Sequence, residues 1–178
     1  MEADWEIEIG GDAPTIDIAW HGLVDLRRAP EAINTLPEVA LLPCLAPALV
    51  RLNAPESALY TVKCDVWQVD AIDPFEFDAE PECATRSFAC YIDLLPRNPQ
   101  DWPDHETAGA WCKRICAALR SAPLRCCRSD LVVRRAIPAA MEPATGVTAY
   151  LAACGPDEAS AKAQLEAALV AFTDVLRA

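Results

Sequence analysis

Near the start of the chain, apolar and polar residues alternate. In DWEIEI, Trp5, Ile7 and Ile9 fall on one side of an extended chain, and Glu6 and Glu8 on the other. A period of two with one polar face is the pattern of a half-buried strand. GGDAP interrupts it, and TIDIAW resumes it with Ile16, Ile18 and Trp20. Two such runs across a loop of about five residues predict a β-hairpin.

Farther along, the spacing becomes helical. Thr35 and Glu38 have capping-box spacing, and Pro37 suits a first turn, where no N–H is needed. Pro43 and Pro47 remove helical hydrogen bonds, which predicts a kinked or broken helix from about Leu36 to Leu52. ALYTVKCDVWQV then reads as a strand. Strict alternation puts Tyr60, Val62, Cys64 and Val66 on one face, and Thr61, Lys63, Asp65 and Trp67 on the other. TRSFACYIDLL is a further strand, with Phe88, Cys90, Ile92 and Leu94 on one side.

A proline-rich loop follows, in which Asp101 or Asp104 can cap the next helix. That helix runs to about Arg120 on a stripe of Ala108, Trp111, Cys112, Ile115 and Leu119. CRSDLVVRRAI and GVTAYLAAC predict a hairpin around the loop PAAMEPAT. The last helix starts near Pro156, with Asp157 and Glu158 at its positive dipole end. Its stripe is Leu165, Ala168, Leu169, Phe172 and Leu176.

The order is therefore β-β-α-β-β-α-β-β-α. We expect one α+β domain over residues 1–178, with a mostly antiparallel sheet of about six strands and three helices on one face. The middle of the order contains the β-α-β-β-α-β succession of a ferredoxin-like unit.

Composition narrows the function. A hydrophobic fraction of 53% over 178 residues suits an ordered globular chain. The net charge of −12 repels phosphate backbones and anionic bilayers, so neither nucleic acid nor membrane is expected as a partner. The acidic N-terminus does not read as a signal peptide, and VALLPCLAPALV is too short to span a bilayer. The expected compartment is the cytoplasm.

Nine cysteines, an odd number, cannot all pair within one chain. Cys112 and Cys116 lie one helical turn apart, and there is no C-x-x-C. Cys126 and Cys127 should point to opposite faces of a strand. We expect packed thiols, with no metal and no cofactor. His21 and His105 are the two histidines, and no nucleophile elbow or phosphate-binding glycine pattern occurs. No catalytic residues are assigned.

Charge is segregated. Asp65, Asp70, Asp73, Glu76, Asp78, Glu80 and Glu82 form a run free of Lys and Arg, whereas seven bases against Asp130 alone occupy 113–135. The patches either answer each other within the fold or orient an assembly. Trp67, Phe75, Phe77 and Trp102 lie in or beside loops and either cover the sheet or line a pocket.

The expected function is a non-catalytic binding or assembly module, either a homo-oligomer or a subunit bound to another protein. The alternative is a small-molecule-binding protein or small enzyme with a pocket on the open sheet face, formed by His21, Cys64, Asp65 and Trp67.

Overall fold

A computed structural model describes residues 1–18, 20–69, 72–137 and 144–177. Asp70 and most of the loop PAAMEPAT lie outside the described residues. The strands are β1 (Glu2–Ile7), β2 (Ile16–Asp17), β3 (Leu59–Val69), β4 (Arg86–Pro96), β5 (Cys127–Ile137) and β6 (Ala144–Gly155). The helices are α1 (Pro37–Leu41), α2 (Leu45–Asn53), α3 (His105–Arg120) and α4 (Glu158–Val175).

The fold is α+β around a mixed six-stranded sheet. Its order is β1-β5-β6-β4-β3, with β2 also on β5. The pairs β3–β4, β4–β6 and β5–β6 are antiparallel, so the second hairpin is present. The first is not. Both β1 and β2 run parallel to β5, at 128–133 and 136–137, one after the other along the same edge. The chain loops out between them instead of reversing, and Arg135 holds the loop by donating to the carbonyls of Ile9 (3.0 Å) and Gly10 (2.9 Å).

The ferredoxin-like order is not adopted either. It would seat β2 beside β4 in the middle of the sheet. A two-residue strand cannot satisfy neighbours on both sides, and β2 sits at the edge. The central place goes to β6, which pairs with both β4 and β5.

Hydrophobic burial explains the register. Cys90, Ile92 and Leu94 of β4, Leu131 and Val133 of β5, and Val147, Ala149 and Leu151 of β6 form one buried cluster with the helical stripes. From α3 it receives Ala108, Cys112, Ile115 and Leu119, and from α4 Leu165, Ala168, Leu169 and Phe172. Asp104, one of the two caps expected for α3, is its N-cap, and Asp157, expected as a favourable charge at the dipole end of α4, is the N-cap of that helix. Asp104 accepts from Thr107 N, and Asp157 from Ser160 N, both at 2.7 Å. These bonds hold both exposed carboxyls below the ordinary carboxylate range.

Two local predictions fail for identifiable reasons. The helix does break at Pro43, and Pro47 fits the first turn of α2. Yet Leu36, not Thr35, is the N-cap of α1, and Thr35 Oγ1 turns back to donate to Ala32 O at 2.6 Å. In β3, the register shifts between Thr61 and Lys63, leaving Val62 as a bulge. The bulge reverses the alternation. Cys64 and Val66 pack on the main core, whereas Tyr60 and Val62 join a second cluster with Ile16, Leu95 and Ala136.

Both sheet edges are guarded in the same way. Asp4 on β1 accepts from Trp5 N, and Asp65 on β3 from Val66 N, each at 2.8 Å. A carboxylate on an edge N–H occupies a donor that an added strand would need.

Leu169 is 1% exposed, in the centre of the α4 stripe. Leu169→Asp places an unpaired charge there, which should cost on the order of 4 kcal/mol and lower the melting temperature by roughly 8–16 °C. Melting within a degree or two of the parent would show that α4 does not hold the core.

Candidate functional site

The second face of the sheet carries the residues of opposite parity. The pairing aligns them in rows. Lys63 lies across from Asp93 and Asp93 from Thr148; Asp65 lies across from Tyr91 and Tyr91 from Tyr150; Trp67 lies across from Ala89 and Ala89 from Ala152. Asp130 and Arg128 of β5 extend the last two rows.

Aromatic rings cross this face. The Trp67 and Tyr91 centroids are 6.2 Å apart, and those of Tyr91 and Tyr150 6.0 Å apart, both tilted, within the range of favourable aromatic pairs. Cations lie beside them. Lys63 Nζ is 6.0 Å from the Tyr91 centroid, and the Arg134 guanidinium 5.8 Å from that of Tyr150. The Lys63 ammonium is favoured above its ordinary range, chiefly by its bond with the Tyr91 hydroxyl. It is a cation at neutral pH, not a neutral amine nucleophile.

One acid is buried among them. Asp93 is 7% exposed and accepts from Thr148 Oγ1 at 2.6 Å. Burial pushes its carboxyl above the ordinary range, and the bond from Thr148 with the charges of Arg134 and Lys63 offsets part of that.

Chain segments close both ends of the face. At one end Ile16, Ile18 and Leu23 pack with Val62, Leu95 and Ala136, and Trp20 Nε1 donates to Val62 O at 3.4 Å. Gly146 is needed here, because a Cβ would come within 2.7 Å of Ile16 Cδ1 and 2.9 Å of Leu95 Cδ2. At the other end the turn Pro74–Phe77 folds back, and Phe77 and Ala84 pack on Cys154 and Ala152. Asp73 caps that turn by accepting from Phe75 N at 3.0 Å. Phe77 and Trp102 are buried, whereas Phe75 is 90% exposed. We call the stretch of this face between the two segments the trough; its floor is the row Trp67, Tyr91, Tyr150.

The four expected pocket residues do not converge. Asp65 and Trp67 lie on the trough floor. His21 is exposed in the turn beside Trp20. Cys64 lies on the opposite side of the sheet, because adjacent strand residues face opposite ways. It lines a cleft of ≈ 200 Å³ beside β3, with Trp20, Gly22, Leu36, Glu38 and Val62. His105, at the start of α3, places Nδ1 3.2 Å from Thr145 Oγ1.

Tyr91, Asp93, Thr148, Tyr150 and Arg134 were not anticipated. The signal for all but Arg134 is in FACYIDLL and GVTAYLAAC, where Tyr91, Asp93, Thr148 and Tyr150 occupy every second position opposite the buried residues.

Burial raises the cysteine thiols. Those of Cys44 and Cys116 are pushed up to about 11, and those of Cys64, Cys112 and Cys127 to about 12. Such thiols are poor nucleophiles at neutral pH. Among the described residues, no group of three or more His, Cys, Asp or Glu side chains is placed to hold a metal ion. None of the described helices is long and apolar enough to cross a membrane.

The opposite charges meet within the chain in part. Arg125 lies 3.8 Å from Asp78, Arg128 2.7 Å from Asp130, and Arg134 2.9 Å from Glu8. Lys113 and Arg114 are exposed on α3. In comparisons with known proteins, the chain matches no family model, no curated protein and no solved structure.

A carboxyl raised on folding stabilises the fold most below its unfolded value near 3.8, and that contribution is lost as the pH rises through the folded value. Asp93→Asn keeps an acceptor for Thr148 and removes the buried charge. It should melt above the parent at pH 7, with the gap closing as the pH falls toward 4. A gap that is constant with pH would mean that the Asp93 carboxyl does not titrate differently in the folded chain.

Proposed function

We propose that this chain is a non-catalytic protein-binding module, with the trough as its docking surface and a basic segment of a protein partner as the occupant. In this reading α2, α3 and α4 cover one face of the sheet and leave the other free. The observation that carries it is the half-exposed aromatic row Trp67, Tyr91, Tyr150 on the face opposite the helices. Trp, Tyr and Arg are the residues that dominate binding energy at protein interfaces, and they work from flat, closely packed patches.

Charge selects the occupant. The arginines nearest the trough, Arg125, Arg128 and Arg134, already face Asp78, Asp130 and Glu8, and Lys63 on the trough itself sits between the charges of Asp93 and Asp65. Asp73, Glu76, Glu80 and Glu82 add further acid beside it, in a chain of net charge −12. A second copy would bring acid against acid, whereas a partner rich in Lys and Arg answers the patch. The same charge disfavours nucleic acid and anionic lipid. A reducing cytoplasm suits the nine unpaired thiols.

A small-molecule reading has the cleft beside β3 in its favour. Its ≈ 200 Å³ falls below the roughly 300–1,000 Å³ of ordinary ligand pockets. It therefore ranks second.

Selection of a displayed library of random twelve-residue peptides on the full chain tests the proposal. Enriched peptides should be net positive with an apolar anchor and should bind less tightly as salt rises. Trp67→Ala and Tyr91→Ala should each weaken the best peptide roughly tenfold or more, whereas Leu41→Ala and Val50→Ala on the helical side should leave it unchanged. Acidic winners, binding indifferent to Trp67 and Tyr91, or a dimer in light scattering that those two substitutions dissociate would each overturn it.

A further inference from the structure

Cys126 stands in an unusual backbone. Its φ is 60°, in the left-handed region that L side chains avoid and glycine accepts. It immediately precedes β5, and its carbonyl accepts from Cys154 N at 2.9 Å, so the two residues lie side by side. Both side chains belong to one small apolar cluster with Phe77 and Ala84. Cys127 points the other way, into the main core. A strained position that carries a thiol, set against a second thiol, calls for a function of that pair.

We propose that Cys126 and Cys154 are an oxidation site, joined reversibly as a disulfide by hydrogen peroxide. Cys126 is half-buried and is the entry point, whereas Cys154 is buried. The Cys126 thiol reduces peroxide, the O–O bond breaks, and a sulfenic acid and one water form. The Cys154 sulfur then attacks the Cys126 sulfur, the S–O bond breaks, and the second water leaves with the Cys154 proton. Two thiols have lost two electrons and two protons, and one peroxide has become two waters. Burial first, and then the Cys126 thiol beside it, push the Cys154 thiol up to about 12, so Cys154 does not reduce peroxide itself and reacts only with the electrophilic sulfenic acid held next to it on Cys126. The inference stands apart from the docking reading, since the pair lies under Phe77 and not among the aromatic row.

The test treats the reduced full-length protein with hydrogen peroxide, blocks remaining thiols with iodoacetamide and maps tryptic peptides by mass. The expected product is about 2 Da lighter than the reduced chain, the mass of two hydrogens. It should contain the peptide Cys126–Arg128 joined to Ala136–Lys162, and dithiothreitol should reverse the link. Cys126→Gly accepts the left-handed backbone, so it should keep the parent's melting temperature or exceed it while losing the link. Cys127→Ala should retain the link. A linked peptide that survives Cys126→Gly, a bond from Cys154 to Cys83, or oxidation to sulfinic acids with no loss of 2 Da would each overturn the proposal.

Discussion

The fold depends on the burial of one row of side chains along β4, β6 and β5 beneath α3 and α4. Ile92, Leu94, Leu131, Val147 and Leu151 are all essentially inaccessible, as are Leu119, Leu165 and Phe172 above them. Close packing at this seam sets the register of the three central strands, and the register in turn places every residue of the other face. Tyr91 stands opposite Tyr150, and Asp93 opposite Thr148, because Cys90 and Ile92 must point at the helices.

That dependence explains what was legible in the sequence. Long strands and long helices are readable because each carries its own periodic pattern: Asp104 caps α3 as its position suggests, and the stripes of α3 and α4 are buried except for the half-buried Trp111 and Leu176. The connection between elements was less readable. Two alternating runs around GGDAP look like a hairpin to any local rule, and only the pairing of both with β5 shows that they run the same way. Strand order in the sheet is a long-range property, and no stretch of the chain records it by itself.

The site was legible in half. Asp65 and Trp67 were recognised on the polar side of their strand and lie on the trough floor. Their neighbours Tyr91, Asp93 and Tyr150 come from β4 and β6, and only the long-range pairing of those strands brings them beside Asp65 and Trp67. Cys64 and His21 were grouped with them by proximity in sequence, which a pleated strand does not convert into proximity in space. Asp93 combines both lessons: a single acid within FACYIDLL looks like a solvent-facing break, yet it is buried against Thr148.

The bulge at Val62 acts as a phase shift along β3. Before it, Tyr60 faces the trough side; after it, Lys63, Asp65 and Trp67 do, although an unbroken strand would have divided these residues between two environments. One extra residue thus lets a single strand contribute apolar packing at one end of the trough and ring and charge at the other. Deleting it would turn the first half of the strand over and expose what is now packed. The two halves of β3 are therefore free to vary under separate requirements, and the length of the chain between them is not.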